Sequence, residues 1–246
     1  MPWNPGTYHK FQNERFLPFE DVCSFLEVRD RLSVIDLGCG TGELTEMLAD
    51  RLPGSIVLGV DSSPEMLEKA QKQVRPGLRF ELGTIETVTG AWDVVFSHAA
   101  IHWVANHREL IPKLVGLVKP GGQLAVQLPS NQNHPAHLLI GEIAQEEPFQ
   151  TALGGWLRVS PVLNLGEYAE LLYQSVGNNF TVFEKVYPHI LKDADAIADW
   201  TSGTTLVPYF ERLPQALHEA FQERYRPKYH KRYYPYKYPR LFVVLF

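Results

Sequence analysis

Val34-Ile35-Asp36-Leu37-Gly38-Cys39-Gly40-Thr41-Gly42-Glu43-Leu44 decides the fold, because an apolar, β-branched run passes through three alternate glycines into residues that favour a helix. A strand, a tight turn and a helix are expected in that order. Glycine lacks a Cβ, so the turn can adopt positive φ and bring its backbone close to a ligand, while the free amides of the new helix face the same spot. A nicotinamide-binding loop would read Gly-x-Gly-x-x-Gly and receive a pyrophosphate, for which the carboxylate of Asp36 is an unfavourable neighbour. A ligand carrying a sulfonium and an ammonium, as S-adenosylmethionine does, suits Asp36 instead.

Outward from the loop, Asp61 closes the next apolar run nineteen positions after Gly42. A carboxylate there can accept both hydroxyl protons of a ribose, and Ser62-Ser63-Pro64-Glu65 supplies a helix cap immediately afterwards. The competing possibility, that the glycines form a plain turn and Asp61 is a surface carboxylate, is disfavoured by the joint spacing. Strands are expected at Ser33–Leu37, Ser55–Val60, Leu78–Leu82, Trp92–Ser97 and Gln123–Gln127, alternating with helical stretches as parallel βαβ units do. Leu44, Met47, Leu48 and Leu52 form the buried stripe of one helix; Leu110, Leu114 and Leu117 form another, which Gly121-Gly122 is expected to stop. From 131 to 212 the pattern loosens into helical pieces around one strand, Phe180–Val186, and the chain closes on an apolar run, Arg240–Phe246. The expected division of this single domain is a ligand-binding core over 30–130, a cap or substrate region over 131–212 and a closing antiparallel hairpin over 213–246.

The 246 residues are 45% hydrophobic and 21% charged, an ordinary globular balance that excludes a disordered chain. No apolar run approaches a membrane span, and no basic-then-apolar leader is present at the N-terminus, so a cytoplasmic protein without a membrane partner is expected. The two cysteines, Cys23 and Cys39, fit a reducing compartment and suggest no metal site. The net charge of -5 argues against nucleic acid as a partner. One basic and aromatic stretch, Arg224 to Tyr238, suits either an anionic surface or, more plainly, the exposed loop of the closing hairpin. A small-molecule substrate and a monomer or dimer are expected.

The glycine loop, Val60-Asp61-Ser62-Ser63-Pro64-Glu65-Met66-Leu67 and Lys119-Pro120-Gly121-Gly122 resemble the class I S-adenosylmethionine-dependent methyltransferases. The resemblance implies an α/β, Rossmann-like fold: a mostly parallel sheet with an antiparallel C-terminal strand and a helical cap insertion, with S-adenosylmethionine as cofactor. Trp3-Asn4-Pro5 with Tyr8, Phe11 and Arg15, then Ala125-Val126-Gln127-Leu128-Pro129, Asp199-Trp200 and Pro239-Arg240-Leu241-Phe242, resemble the trans-aconitate methyltransferase branch. This likeness covers nearly the whole chain. Carried over residue by residue, it implies that Gly38 and Gly40 lie along the methionine part of the cofactor, Asp61 and Ser62 on the ribose, and Met66 against the adenine, with Asp36 and Cys39 in the same cofactor-binding set. Thr84 stands where the family has an aspartate for the adenine amino group, and Ile85 and Ser97 complete the cofactor set. Tyr8 and Arg15 match a segment that folds over the cofactor in the family, with Arg15 on the methionine carboxylate.

Ligands of open α/β sheets sit beyond the carboxyl ends of the strands, which points to His98, Ile101, His102, Trp103, Pro129, Asn131 and His134 as acceptor-side residues. Each histidine alone is more often a hydrogen-bonded loop residue than a catalyst. His102 and Trp103 are the preferred catalytic pair, since their segment resembles the family's Gln-Trp and the indole can wall off water. A carboxylate acceptor needs no general base; a hydroxyl or amine would make His102 or His98 one. The stretch matching the family's Gly-Leu-Arg-Pro reads Thr205-Leu206-Val207-Pro208, replacing an arginine suited to an anionic substrate by valine. Arg158, His189, Tyr209 and Arg240 remain as candidate anion contacts. Methyl transfer to a small molecule, a carboxylate of the trans-aconitate kind, is the leading expectation. The alternatives are a lipid chain or other non-acidic acceptor, and cofactor binding without catalysis.

Overall fold

Strand β1 (Ser33–Leu37) pairs in parallel with β2 (Ile56–Asp61) on one side and β4 (Trp92–His98) on the other, so its carboxyl end delivers the glycine loop between them. The computed structural model describes the backbone of residues 12–189, 201, 205–232 and 236–245 and the side chains of 16–187, 201 and 205–225. Tyr8, Phe11 and the Trp3-Asn4-Pro5 and Asp199-Trp200 motifs lie outside these, as do the side chains of Arg15, His189 and Arg240. Over the described residues the remaining elements are α1 (Gln12–Ser24), α2 (Glu43–Arg51), α3 (Pro64–Ala70), β3 (Leu78–Leu82), α4 (His107–Gly116), β5 (Val118–Pro129), α5 (Pro135–Ala144), α6 (Phe149–Ala152), α7 (Leu165–Val176), β6 (Phe180–His189), α8 (Val207–Phe210), α9 (His218–Arg232) and β7 (Tyr236–Leu245). The sheet runs β3-β2-β1-β4-β5-β7-β6. Its first five strands are parallel to their neighbours, while β7 pairs antiparallel to β5, Val126 opposite Val243.

Register sorts the strand side chains onto two faces. Ile35, Leu37, Val95, Leu124 and Val126 share the face covered by Leu110, Ile111 and Leu114 of α4 and by Tyr168 and Leu172 of α7. Asp36, Phe96, His98, Ala125 and Gln127 share the opposite face, where Phe19 of α1 meets Phe96 and His98 edge-on at 5.9 and 5.7 Å. Each apolar side chain withdrawn from water in this way contributes about 1.5–3 kcal/mol.

The chain divides into two compact units, one of residues 16–129, 161–185 and 240–246, the other of residues 1–15, 130–160 and 186–239. The second has its own core, in which Ile140 and Ile143 of α5, Phe149, Leu206, Tyr209, Phe221 and Tyr225 are buried, with the Phe149 and Phe221 rings 4.9 Å apart. This core corrects the expectation of a hairpin over 213–246. Phe221 and Tyr225 are four residues apart, one helical turn, and burying them together makes 218–232 the helix α9 despite Pro227. A second correction concerns Gly121-Gly122. Helix α4 ends earlier, at Gly116, and the glycines lie within β5, where the register against β4 shifts between Trp92 and Val94. A Cβ on Gly122 would stand 2.8 Å from the Asp93 carbonyl oxygen, so this irregular crossing requires glycine.

Candidate cofactor and acceptor site

The loop leaves β1 with Gly38 at φ +80°, its amide and that of Cys39 both donating to the Val60 carbonyl at 2.8 and 3.1 Å. A Cβ on Gly38 would lie 2.2 Å from that of Ala100, which explains the first glycine by space as well as by φ. Gly40 differs: it has φ +56° and nothing within 4 Å of where a Cβ would stand. Gly42 caps α2 in the left-handed region and makes no side-chain cap bond to the first-turn amides, which suits them to a ligand or water.

Asp61 ends β2 facing this loop. Its Oδ2 accepts the Gly40 amide and its Oδ1 the Ser63 amide, both at 2.8 Å. A carboxylate has about four acceptor positions, so two remain for hydroxyl donors. Ser63 in turn caps α3, its Oγ accepting from Met66 N at 3.3 Å, with Pro64 in the first turn. Ser62 is exposed and Met66 half-buried. Thr84 is exposed, its hydroxyl 3.0 Å from that of Thr87, whereas Ile85 is buried among Leu37, Val60 and Ala100. Leu82, which the sequence did not single out, stands opposite Asp61 in the β2–β3 register with 65% of its surface exposed. An apolar side chain left open beside the acid is suited to an adenine face.

Beneath the loop, Asp36 is only 3% exposed and accepts a 2.6 Å hydrogen bond from Thr45 of α2. Burial pushes its carboxyl up to about 7; the Thr45 bond opposes this and the Asp61 charge adds to it. The sequence pairs Asp36 with a cation but does not anticipate Thr45, a polar residue on the helix face turned inward. Ser97 is fully buried and donates to the Leu37 carbonyl at 2.8 Å, tying β4 to the end of β1. Burial raises the Cys39 thiol above its ordinary range, helped by the charges of Asp36 and Asp61, so it is no nucleophile.

Beyond β4 the chain turns through Ala99 at φ +51°, whose amide donates to the Gln127 carbonyl at 2.8 Å. A short 3-10 turn, Ile101–Trp103, follows. The rings of His102 and Trp103 lie 4.8 Å apart at 42°, with Trp103 50% exposed and His102 half-buried. His98 is buried beside Phe19 and shares its face of the sheet with Gln127, its register partner on β5. In the second unit, Asn131 is buried and His134 caps α5, its Nδ1 accepting from Ala136 N at 3.2 Å. The Tyr209 hydroxyl accepts from the backbone amide of Arg158 at 3.3 Å, and Val207 is half-buried. His137, which sequence reasoning missed, stands 6.4 Å from His134 ring to ring and 3.2 Å from the Thr205 hydroxyl. Burial, then the charges of His134 and Arg158, hold His137 down at about 3, so it is neutral at ordinary pH.

A methyltransferase domain family matches residues 34–122, the glycine loop through Gly122. The trans-aconitate 2-methyltransferase of Deinococcus radiodurans is 45% identical over 222 residues, spanning 88% of this chain and 85% of that protein. The chain belongs to the trans-aconitate 2-methyltransferase family. The enzyme of the same name from Variovorax paradoxus is 38% identical, again over 88% of this chain and 85% of its own. A solved S-adenosylmethionine dependent methyltransferase from Mesorhizobium loti superposes with a TM-score of 0.54 at 20% identity, covering 92% of this chain and 96% of its own, and shares the fold. This member of the trans-aconitate 2-methyltransferase family is therefore an S-adenosylmethionine-dependent methyltransferase, and its cofactor is S-adenosylmethionine. Among the described residues no helix of the family member is long and apolar enough to cross a membrane, and no cluster of metal-ligating side chains occurs.

Proposed function

We propose that the protein methylates a carboxylate of a small organic acid of the trans-aconitate type, giving a methyl ester and S-adenosylhomocysteine. The observation that carries this reading is the 45% identity to a trans-aconitate 2-methyltransferase over 88% of the chain. The residues fit the cofactor: Gly40 leaves open space on the loop, and Asp61 keeps acceptor capacity beyond the two amides it holds. Asp36, Gly38, Cys39 and Gly40 line the methionine part, Asp61 and Ser62 take the ribose, and Met66, Leu82, Thr84 and Ile85 surround the adenine. The family resemblance assigns Tyr8 and Arg15 to the cofactor as well, though neither side chain is among those described. Ser97 acts from beneath, through its bond to Leu37. When bound, the cofactor supplies a methyl group on a sulfonium, which a carboxylate oxygen takes as the C–S bonding pair returns to sulfur. His102 and Trp103 position the acceptor and exclude water, and no side chain removes a proton, because the acceptor is ionised well below neutral pH.

Release of S-adenosylhomocysteine over a panel of carboxylic acids, phenols and amines tests this. Turnover with carboxylates, at a single-turnover rate flat between about pH 6 and 9, is expected. Transfer confined to phenols or amines, rising through a histidine-like pKa and lost in His102→Ala or His98→Ala, would refute it. Val207 favours an acceptor with fewer charges than a tricarboxylate, so mono- and dicarboxylates belong on the panel and Val207→Arg should shift preference toward trans-aconitate. The protein acts as a monomer or dimer without nucleic acid or membrane, and its two free, buried cysteines support a reducing, cytoplasmic setting.

A further inference from the structure

Strand β5 carries two glutamines, four residues apart and hence on the same face of the sheet. Their surroundings are opposite. Gln123 is paired at both ends: its Oε1 accepts the Glu27 amide at 2.7 Å and its Nε2 donates to the Glu27 carbonyl at 3.1 Å. Gln127 is 0% exposed, yet neither Oε1 nor Nε2 finds a hydrogen-bond partner among the described residues. A buried amide with both ends unmet destabilises the fold that contains it, and such groups occur where a ligand completes the bonding.

The position of Gln127 says which ligand. It sits at the carboxyl end of β5, in register with His98 at the end of β4, where open α/β sheets bind their ligands. The glycine loop and Asp61 belong to β1 and β2, on the other side of β4. Gln127 therefore stands on the far side of β4 from the strands that carry the nucleoside contacts, at the strand ends that point to the acceptor.

We propose that Gln127 is a specificity-determining residue whose amide nitrogen donates a hydrogen bond to an oxygen of the acceptor carboxylate. The assignment rests on the carboxylate reading given above. A neutral donor suits this place, since it orients the carboxylate without neutralising the lone pair that attacks the methyl group. The amide oxygen is left for a water that enters with the acceptor.

Gln127→Met keeps the length of the side chain and removes both polar atoms; Gln127→Glu keeps the shape and removes the donor. Melting temperature without ligand, S-adenosylhomocysteine affinity by calorimetry, and kcat and KM for the best carboxylate acceptor are measured for each. In Gln127→Met the melting temperature should hold or rise, the cofactor-product affinity should stay within about twofold, and kcat/KM for the acceptor should fall by about tenfold or more. Gln127→Glu should lose about a hundredfold or more, through repulsion of the anion. An unchanged kcat/KM in Gln127→Met, or a loss matched by equal losses of melting temperature and cofactor-product affinity, would overturn the assignment. Wild-type turnover with a phenol or amine and none with carboxylates would overturn the carboxylate reading itself. On that acceptor an unchanged kcat/KM in Gln127→Met would overturn the role of Gln127 as well.

Discussion

The hydroxyl of Tyr168 lies 2.5 Å from Nδ1 of His107, and the opposite ring nitrogen lies 2.9 Å from the Ile101 carbonyl, with both side chains buried. With the ring neutral, one proton arrangement satisfies both contacts: Tyr168 donates to Nδ1, and Nε2–H donates to the carbonyl. Burial lowers the His107 pKa, which keeps the ring neutral as this arrangement requires. The pair thereby fastens the turn bearing His102 and Trp103 to α4 and α7.

Tyr168→Phe should cost about 1–3 kcal/mol of stability, because it leaves Nδ1 without its donor in a buried place. Urea denaturation measures this. S-adenosylhomocysteine affinity should change little, since the loop and Asp61 are untouched. A stability equal to wild type would show that water or a rearranged ring replaces the hydroxyl.

Asp36 should make cofactor affinity depend on pH. Its pKa in the fold, about 7, lies above the ordinary 3.8, so the folded state binds the extra proton between those values. Its contribution to stability is then complete below about pH 4 and is lost as pH rises through 7. The cationic cofactor needs the ionised form, so S-adenosylmethionine should bind up to about tenfold more tightly at pH 7.5 than at pH 6. Asp36→Asn should remove that difference. Identical pH profiles in calorimetry for the two proteins would show that Asp36 does not face the cation.

Asp61→Ala removes the acceptor of the Gly40 and Ser63 amides together with the proposed ribose contact. Cofactor binding should weaken by about 1.5–3 kcal/mol, the scale of hydrogen bonds to a charged group. An unchanged dissociation constant by calorimetry would leave Asp61 with the shape of the loop alone.

The glycines of the loop should separate by substitution. Gly38→Ala forces a Cβ to 2.2 Å from that of Ala100, on top of a positive φ, and should lower the melting temperature severely. Gly40→Ala meets open space and carries only the left-handed backbone penalty, about 1–2 kcal/mol, so the folded protein should persist with weakened cofactor binding. Equal thermal losses in the two variants would contradict the packing described.

Much of this molecule is legible in the sequence because its signals are local and steric. Three alternate glycines demand positive φ, β-branched runs demand strands, and Ser63-Pro64 caps the next helix whatever the rest of the chain does. Asp61, at the end of its strand, was legible for the same reason. The helix over 218–232 was not, because its basic and aromatic residues show no clean apolar stripe, and Pro227 argues against it until Phe221 and Tyr225 are seen to share a core. Asp36 and Thr45, His107 and Tyr168, and the contrast between Gln123 and Gln127 belong to the tertiary structure alone. Whether a polar side chain is paired, neutral or unmet depends on which distant atoms burial brings within hydrogen-bond reach, and no spacing along the chain specifies that.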